Sequence, residues 1–530
     1  MVSALGIRLV RSLLALRMQG LSIAMVVAAG VAAYVASMST HESLKLARDQ
    51  RYAATQFPDL FVDLTRAPIA VAGAIERLPG VSAVRHGLAW HARLDIAEID
   101  DPLSARVMSL PDPDSIARLT LIEGHWPASG SREALLGESF AKRRGIRPGQ
   151  VIGVVMQGRT ETLVVTGLAS SPEYILGAAH GGMSDDRSFG LIWMDRKRMA
   201  RAIDLDDAFK TLALTLETGA DRTATLTEID LRLAPYGGGG AYGREDQFSN
   251  RALSQEIAEQ RVFATVLPAI FLAVSIFVLY IVLSRRVSTE RDQIATLRAL
   301  GYGGMAIGSH YLLIAIAIAA LEATAGIALG ARLGLWLTEL YTGYFRFPEF
   351  SWVLPIKVAA LPTGLALLGA AAAGAMPVRT VLKCSPAEAM QPPAPTTWRR
   401  GPGGPDRLCS SDCGGSDLQQ RPDCVVRARW ELATLRVLGM TEQEVSRLLL
   451  GELALQTLIA MPIGCVAGWA LAHLLVSMMS GGPFTIPVVI WPRTYVWAVA
   501  SALPTGLLSA WLVHRRLAGL DLIAVLKVRE

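Results

Sequence analysis

The sequence predicts an α-helical polytopic membrane protein of about six spans, with a large mixed α/β domain outside the cytoplasm. Three observations predict it. Apolar residues make up 52% of the 530 positions and charged residues only 18%, which is too apolar for an ordinary soluble enzyme and too polar for a chain lying wholly in lipid. Windows of the roughly 20 apolar residues needed to cross about 30 Å of hydrocarbon occur at approximately 21–38, 262–283, 310–335, 353–375, 448–478 and 495–513. A single large polar block, 39–261, separates the first window from the second.

Basic residues near the helix ends set the orientation, because Lys and Arg are retained on the cytoplasmic side. Arg8, Arg11 and Arg17 precede the first window, Arg285, Arg286 and Arg291 follow the second, Arg379 and Lys383 the fourth, and Arg515 and Arg516 the last. The opposite ends are nearly free of cations, Arg493 being the minor exception. Six crossings then place both termini in the cytoplasm and block 39–261 outside. The first window is long for a signal peptide and lacks a convincing small-residue cleavage site, so it is expected to remain as an anchor. The same cations account for the net charge of +5, and a nucleic-acid partner is not expected.

The outer block contains no cysteine, so a hydrophobic core and not disulfides must hold its roughly 220 residues. Strand-like runs at Asp59–Leu64, Val151–Met156, Leu163–Leu168 and Leu212–Glu217 alternate with helical stretches at Ile69–Leu78 and Thr223–Leu233. The stretch Leu136–Gln150 reads as a helix ending in a turn. A glycine-rich hinge, Gly237–Gly240, leads into a polar helix, Gln247–Gln260, that runs straight into the second span. Such a helix either transmits force between domain and membrane or serves as a passive stalk.

One element occurs twice. Arg291-Asp-Gln-Ile-Ala-Thr-Leu-Arg-Ala-Leu-Gly301 and Arg429-Trp-Glu-Leu-Ala-Thr-Leu-Arg-Val-Leu-Gly439 lie 429 − 291 = 138 positions apart, and the register continues into the following spans, where Gly326 matches Gly464 and Gly330 matches Gly468. Duplication explains this better than chance, and small residues at those positions suit close helix packing. Each copy, wound as a helix, offers a short apolar ridge flanked by cations: Ile294, Leu297 and Leu300 with Arg291, Arg298 and the terminal Gly301, then Leu432, Leu435 and Leu438 with Arg436 and Gly439. A ridge of this kind can fill a groove in a soluble partner or lie on lipid headgroups. Its use at equivalent places in two membrane modules favours a protein partner of twofold character.

Between the copies, residues 391–428 turn to Pro, Gly, Arg, Ser and Cys without apolar periodicity, the composition of a flexible cytoplasmic linker. Cys409, Cys413 and the nearby Cys424 lack a histidine to complete four metal ligands and read as unpaired thiols. No phosphate-binding G-x-x-x-x-G-K-[ST] loop, G-x-S-x-G or H-E-x-x-H motif occurs anywhere. The chain is therefore expected to be no enzyme, and to hold no cofactor or metal. Glu322 is the one acid well inside a span, and its duplicate position is Ala460, so it stands apart from the shared element. Lys357 lies near enough to a span end to snorkel.

Ser284-Arg-Arg-Val-Ser-Thr-Glu-Arg-Asp-Gln-Ile-Ala-Thr-Leu-Arg-Ala-Leu-Gly-Tyr302, Ser385-Pro-Ala-Glu-Ala-Met390 and Leu520-Asp-Leu-Ile-Ala-Val-Leu-Lys-Val-Arg-Glu530 resemble the FtsX-like, MacB-type permeases of ABC transporters over most of the chain except the linker. The resemblance implies a cytoplasmic N-terminus and first span (1–38), an extracytoplasmic MacB-like core domain with its stalk (39–261), a first module (262–390, coupling helix 286–301), the linker (391–428) and a shortened second module (429–530, coupling helix 429–439). It implies that both coupling helices dock on a separate ATPase, whose hydrolysis moves the outer domain to export or extract a lipid, lipoprotein or peptide. Besides the bilayer, an extracytoplasmic adaptor or a second permease chain would be further partners. Two-module members usually carry two more spans, often around a second outer domain, where 391–428 stands here; natural shortening and internal deletion both preserve the membrane parity. Two other function classes fit the residues: a signalling protein that regulates an outer partner such as a cell-wall hydrolase, and an ATP-independent secondary transporter. The latter is expected to show paired charges or broken helices at mid-membrane, which the spans largely lack.

Overall fold

The computed structural model describes residues 17–96, 101–175, 187–345, 351–383, 441–479 and 488–517. The linker 391–428, the second copy of the repeated element at 429–439 and the segments 385–390 and 520–530 lie outside the described residues.

The chain enters on α1 (Arg17–Thr55) and builds the outer domain from β1 (Leu60–Pro68), α2 (Ile69–Glu76), β2 (Val81–Gly87), β3 (Ala89–Asp95), β4 (Leu103–Ser109), β5 (Thr120–Gly124), β6 (Glu133–Gly137), α3 (Glu138–Arg144), β7 (Val151–Met156), β8 (Arg159–Ser170), β9 (Phe189–Met194), α4 (Arg196–Ala202), β10 (Ala208–Leu216), α5 (Arg222–Leu233) and β11 (Tyr242–Gly243). Two sheets result. The first has strand order β11-β1-β10-β2 and is antiparallel. The second has order β5-β8-β6-β9-β4-β3-β7, and an added β8 to β7 pairing closes it on itself. Closure pairs both edges of β7 and leaves only short β5 of this sheet with an unpaired edge among the described strands.

Each sheet has its own core. Leu60, Val62, Phe209, Leu212 and Leu214 of the first sheet pack with Ile75 of α2 and Ile229 of α5, while Val107, Leu136, Val154, Val165 and Ile192 line the second with Phe140 and Met199 from α3 and α4. The expected strand and helix segments lie inside these elements, overrunning them by at most a residue or two at their ends, except that Leu136–Gln150, expected as a helix, starts in β6 and is helical only over Glu138–Arg144, because Leu136 is buried in the sheet core. The expected hinge differs. Gly237 and Gly239 are tied to β1, where the Thr65 amide donates to the Gly237 carbonyl at 3.3 Å and the Gly239 amide to Asp63 at 3.2 Å, so the glycines serve a turn, with Gly237 and Gly240 at positive φ, bolted onto the sheet.

The membrane part consists of α6 (Phe248–Thr289), α7 (Arg291–Ala299), α8 (Gly304–Phe345), α9 (Ile356–Lys383), α10 (Glu442–Met479) and α11 (Pro492–Leu517). Among the described residues four helices are long and apolar enough to cross a membrane, at Phe248–Val287, Gly304–Phe345, Ile356–Arg379 and Ala454–Met479. The other two expected spans fall within α1 and α11. A second repeat also emerges, since Leu361-Pro-Thr-Gly-Leu365 in α9 recurs as Leu503-Pro-Thr-Gly-Leu507 in α11, 503 − 361 = 142 positions on. Thus α10 and α11 correspond to α8 and α9.

In the first module α1 packs chiefly between α8 and α6, with a smaller contact to α9. Its Val27, Val31 and Val35 bury against Ala315 and Ala319 of α8, Ala366, Ala370 and Ala373 of α9, and Leu279 and Leu283 of α6. A Cβ added to Gly326 would sit 2.7 Å from Val31 Cβ, and one on Gly330 would sit 2.7 Å from Val35 Cβ and 2.8 Å from the Ala32 carbonyl oxygen. Only glycine lets the two backbones approach this closely. Above the membrane part, α1 and α6 form a two-helix stalk, joined by the Tyr52 hydroxyl donating to Asn250 at 3.0 Å and by His41 Nδ1 at 2.7 Å from the Ile257 carbonyl. Burial pushes the Tyr52 phenol up to about 12, so it remains a donor at any ordinary pH.

Candidate functional site

The first repeated element folds as α7, a separate short helix after α6. The break at Glu290 is held from three sides: its carboxylate accepts from Arg286 Nε at 3.0 Å and from the Tyr311 hydroxyl at 2.6 Å, and its carbonyl accepts the Ile294 amide at 2.9 Å. This half-buried ion pair spans i to i+4 and ties the end of α6 to α8. Charge-assisted hydrogen bonds of this kind are about twice as strong as neutral ones, so the angle between α6 and α7 is fixed by chemistry and not only by packing.

The end of α7 is equally defined. Gly301 has φ +91°, its amide donates to the Arg298 carbonyl at 3.1 Å, and the Tyr302 amide donates to Leu297 at 3.1 Å. This is the paired reverse bonding of a Schellman motif, which favours glycine at the left-handed position. Gly301 therefore stops the helix and turns the chain into α8.

The expected ridge divides into two faces. Ile294 is 2% exposed and packs with Val287 of α6, Ile307, Tyr311, Ile314 and Ile318 of α8 and Val378 of α9, with Leu297 half-buried against the same cluster. Leu300 points away, 72% exposed. Arg298 is half-buried. The sequence reading missed Tyr302 and Met305, which are 44% and 89% exposed and continue the Leu300 surface beyond the turn. The available signal was an apolar pair just past a helix-stopping glycine and ahead of the expected span at 310.

The second copy, with Leu432, Leu435, Arg436, Leu438 and Gly439, lies outside the described residues. The positions that follow it can be compared by sequence register. At the 138-residue offset, Ile307 and Tyr311 become Val445 and Leu449, but Ile314 and Ile318 become Glu452 and Gln456. Two of the aliphatic residues that hold Ile294 are thus replaced by polar ones. The helix that follows starts differently as well. Thr441 and Glu444 form a capping box before α10, with the Thr441 amide donating to Glu444 Oε2 at 2.8 Å and the Glu444 amide donating to Thr441 Oγ1 at 3.4 Å. The backbone hydrogen bond from Thr441 holds the Glu444 carboxyl below its ordinary range.

The glycine stripes also divide. Among the described residues nothing lies within 4 Å of a Cβ added to Gly464 or Gly468. These glycines line an open apolar groove of about 800 Å³ between α10 and α11, together with Gln456, Ala460, Ala498 and Ala502. Glu322 is 1% exposed, and neither carboxylate oxygen has a hydrogen-bond partner among the described residues. No group of three or more His, Cys, Asp or Glu side chains able to hold a metal occurs among the described residues.

An outer α/β domain on a two-helix stalk, continuous with apolar spans that lead into a seated short helix, is the architecture of a multi-pass membrane permease with an extracytoplasmic domain. Comparison with known proteins agrees. The family described as FtsX-like permease C-terminal matches residues 265–386 and 424–522, and the MacB-like periplasmic core domain matches residues 17–231. The chain belongs to the FtsX-like, MacB-type permeases of ABC-type transporters, a family of multi-pass membrane proteins that are not themselves enzymatic and work with an ABC ATPase. Residues 387–423 separate the two matched stretches of the permease family.

Among solved structures, the extracellular domain of the noncanonic ABC-type transporter YknZ from Gram-positive bacteria is similar at 11% identity, with 35% of this chain and 98% of that one covered and a TM-score of 0.26. The periplasmic region of MacB from Actinobacillus actinomycetemcomitans is similar at 9% identity, covering 39% and 95%, also with a TM-score of 0.26. No curated protein matches the chain.

Proposed function

We propose that this chain is the permease subunit of an ABC transporter in which a separate ATPase docks on the turn from α7 to α8, and in which hydrolysis moves the outer domain through the stalk. The observation that carries the reading is the seat of α7. A helix held on one side by Ile294 and Leu297 and by the Glu290 cluster, and presenting Leu300, Tyr302 and Met305 on the other, can pass a push from a soluble partner into α6 without deforming. From there α6 runs 42 residues to the outer domain without interruption. At 1.5 Å per residue it is about 60 Å long, a rigid lever of the right reach. The second copy of the element contributes a weaker contact, because the positions matching Ile314 and Ile318 carry Glu452 and Gln456.

Both termini then lie in the cytoplasm, and the outer domain acts on a cargo of the lipid, lipoprotein or peptide class. The test is ATPase stimulation by the full chain reconstituted in lipid. Leu300→Asp and Met305→Asp should each abolish stimulation while membrane insertion and the fold of the outer domain are unchanged. Leu297→Asp should abolish it together with a loss of stability, since that side chain packs inward. Undiminished stimulation by both the Leu300 and Met305 variants would sink the docking assignment.

A further inference from the structure

The outer domain holds a cavity of about 190 Å³ where its two sheets meet the top of the stalk. Strands β1, β2 and β10 of the first sheet and β4 and β9 of the second contribute to its lining, and Gln247–Ser249 at the start of α6 complete it. Two arginines line it, and they differ. Arg85 is satisfied: its Nη2 donates to both carboxylate oxygens of Glu173 at 2.5 and 2.6 Å. Gln247 in turn donates to the Glu173 carbonyl at 2.5 Å, so this pair is a neutral part of the frame that ties both sheets to the stalk. Arg106 is not satisfied. Its one ion pair among the described residues is to Asp63, 3.5 Å from Nη2, longer than the about 2.7 to 2.9 Å of a charge-assisted hydrogen bond. Its Nε is buried without a hydrogen-bond partner among the described residues, an arrangement that native structures rarely leave uncompensated.

The charges around Arg106 leave it the dominant one in the cavity. Asp63 is 59% exposed, so water screens its attraction. Burial and, after it, the Arg196 guanidinium hold His86 below its ordinary range, so this lining imidazole adds no charge at neutral pH. The Tyr174 ring covers the guanidinium at 5.3 Å and holds its plane. The rest of the lining is largely apolar, with Phe61, Phe189, Trp193 and Leu212 all buried. We infer that this cavity binds a small organic carboxylate carrying one aromatic or branched apolar group, its oxygens on the Arg106 guanidinium in the place that Asp63 holds. Size sets the class. A cavity of roughly 150 Å³ accepts benzene, so 190 Å³ admits one ring and a carboxyl group, roughly ten non-hydrogen atoms, and is too small for a lipid, lipoprotein or folded peptide. The ligand is therefore distinct from a cargo of those classes, and it bridges the two sheets and the start of the stalk.

The test is a titration of the full chain in detergent with phenylacetate, followed by saturation-transfer NMR. Phenylacetate should bind saturably. Phenylacetamide, which lacks the charge, and acetate, which lacks the ring, should each bind at least about tenfold more weakly. Arg106→Met should weaken phenylacetate binding by at least about tenfold. Asp63→Asn should tighten it about two- to fivefold, because it removes the carboxylate that competes for Arg106 with the strength of an exposed pair. Asn keeps an acceptor for the Tyr242 hydroxyl, which lies 3.4 Å from Asp63, and the position is exposed, so this variant carries the prediction even where Arg106→Met fails to fold. A purely structural role for the Arg106 and Asp63 pair gives no such gain. Absence of saturable phenylacetate binding overturns the proposal, as does equal binding of either comparator or weaker binding by Asp63→Asn. No ATPase takes part in the measurement, so its failure and the failure of the coupling assignment are separate results.

Discussion

The two membrane modules carry the same glycines in the same register and put them to different use. Gly326 and Gly330 sit against Val31, Ala32 and Val35 so closely that a Cβ would overlap them, whereas Gly464 and Gly468 meet nothing among the described residues. The difference lies in what the rest of the chain brings to each site. The first module has α1 and α6; the second has no counterpart of either among the described residues. A small-residue stripe therefore states that a helix can approach, and the remainder of the chain decides whether one does.

The comparison breaks most sharply with a large side chain at matched positions. Gly330→Leu should destabilise the membrane part by about 3 kcal/mol or more, because the neighbours include backbone atoms that cannot move aside. Gly468→Leu should change it by about 0.5 kcal/mol or less. Thermal unfolding in detergent checks both, and equal losses would mean that the second groove is filled within the same chain. The repeated element gives the next effect. Ile294→Ala should cost about 2 to 4 kcal/mol from a buried aliphatic site, while Leu432→Ala, its counterpart 138 residues on, should cost well under about 1 kcal/mol; protease resistance of each coupling segment in the full chain reads the contrast.

Glu322 and its register mate Ala460 provide a third comparison. Glu322→Leu should stabilise the first module by about 1 kcal/mol, since it replaces a buried carboxyl without partners among the described residues by an apolar group of similar size. A loss of stability, or of ATPase stimulation with stability unchanged, would instead give that acid a role. The smallest effect belongs to the helix starts. The Glu444 carboxyl is held below its ordinary range by the Thr441 amide, so its cap is complete above the unfolded value of about 4.3 and is lost as pH falls through the lower, folded one. Hydrogen exchange in the first turn of α10 should therefore speed up on acidification. The first turn of α8, which begins at Gly304 without a comparable box, should not respond; an unchanged α10 would remove the cap from the account.

Much of this was legible along the chain. The segments Asp59–Leu64 and Val151–Met156 read as strands because each is a short apolar run rich in β-branched or bulky aliphatic residues. The duplication and its 138-residue register are visible for the same reason, since both copies meet similar local demands. The split ridge was not legible: Ile294, Leu297 and Leu300 are alike in type, and only the placement of Val287, Tyr311 and Val378 determines which of them are covered. The glycine turn at 237–240 looks like a hinge by composition, yet hydrogen bonds to Thr65 and Asp63, remote in sequence, fix it.

By itself the sequence determined what depends on neighbours along the chain: the apolar lengths that cross a membrane, the short apolar runs of the outer strands, the helix-stopping Gly301 and the repeat that marks two related modules. Tertiary structure alone decided what depends on contacts between distant segments. It closed the seven-stranded sheet, seated α7 on α6, α8 and α9, and packed α1 against one glycine stripe while the other meets nothing among the described residues. The physical reason is that propensity and hydrophobicity are properties of a residue and its near neighbours, whereas packing is a property of pairs of surfaces, and a surface cannot specify its partner until the chain has brought one to it.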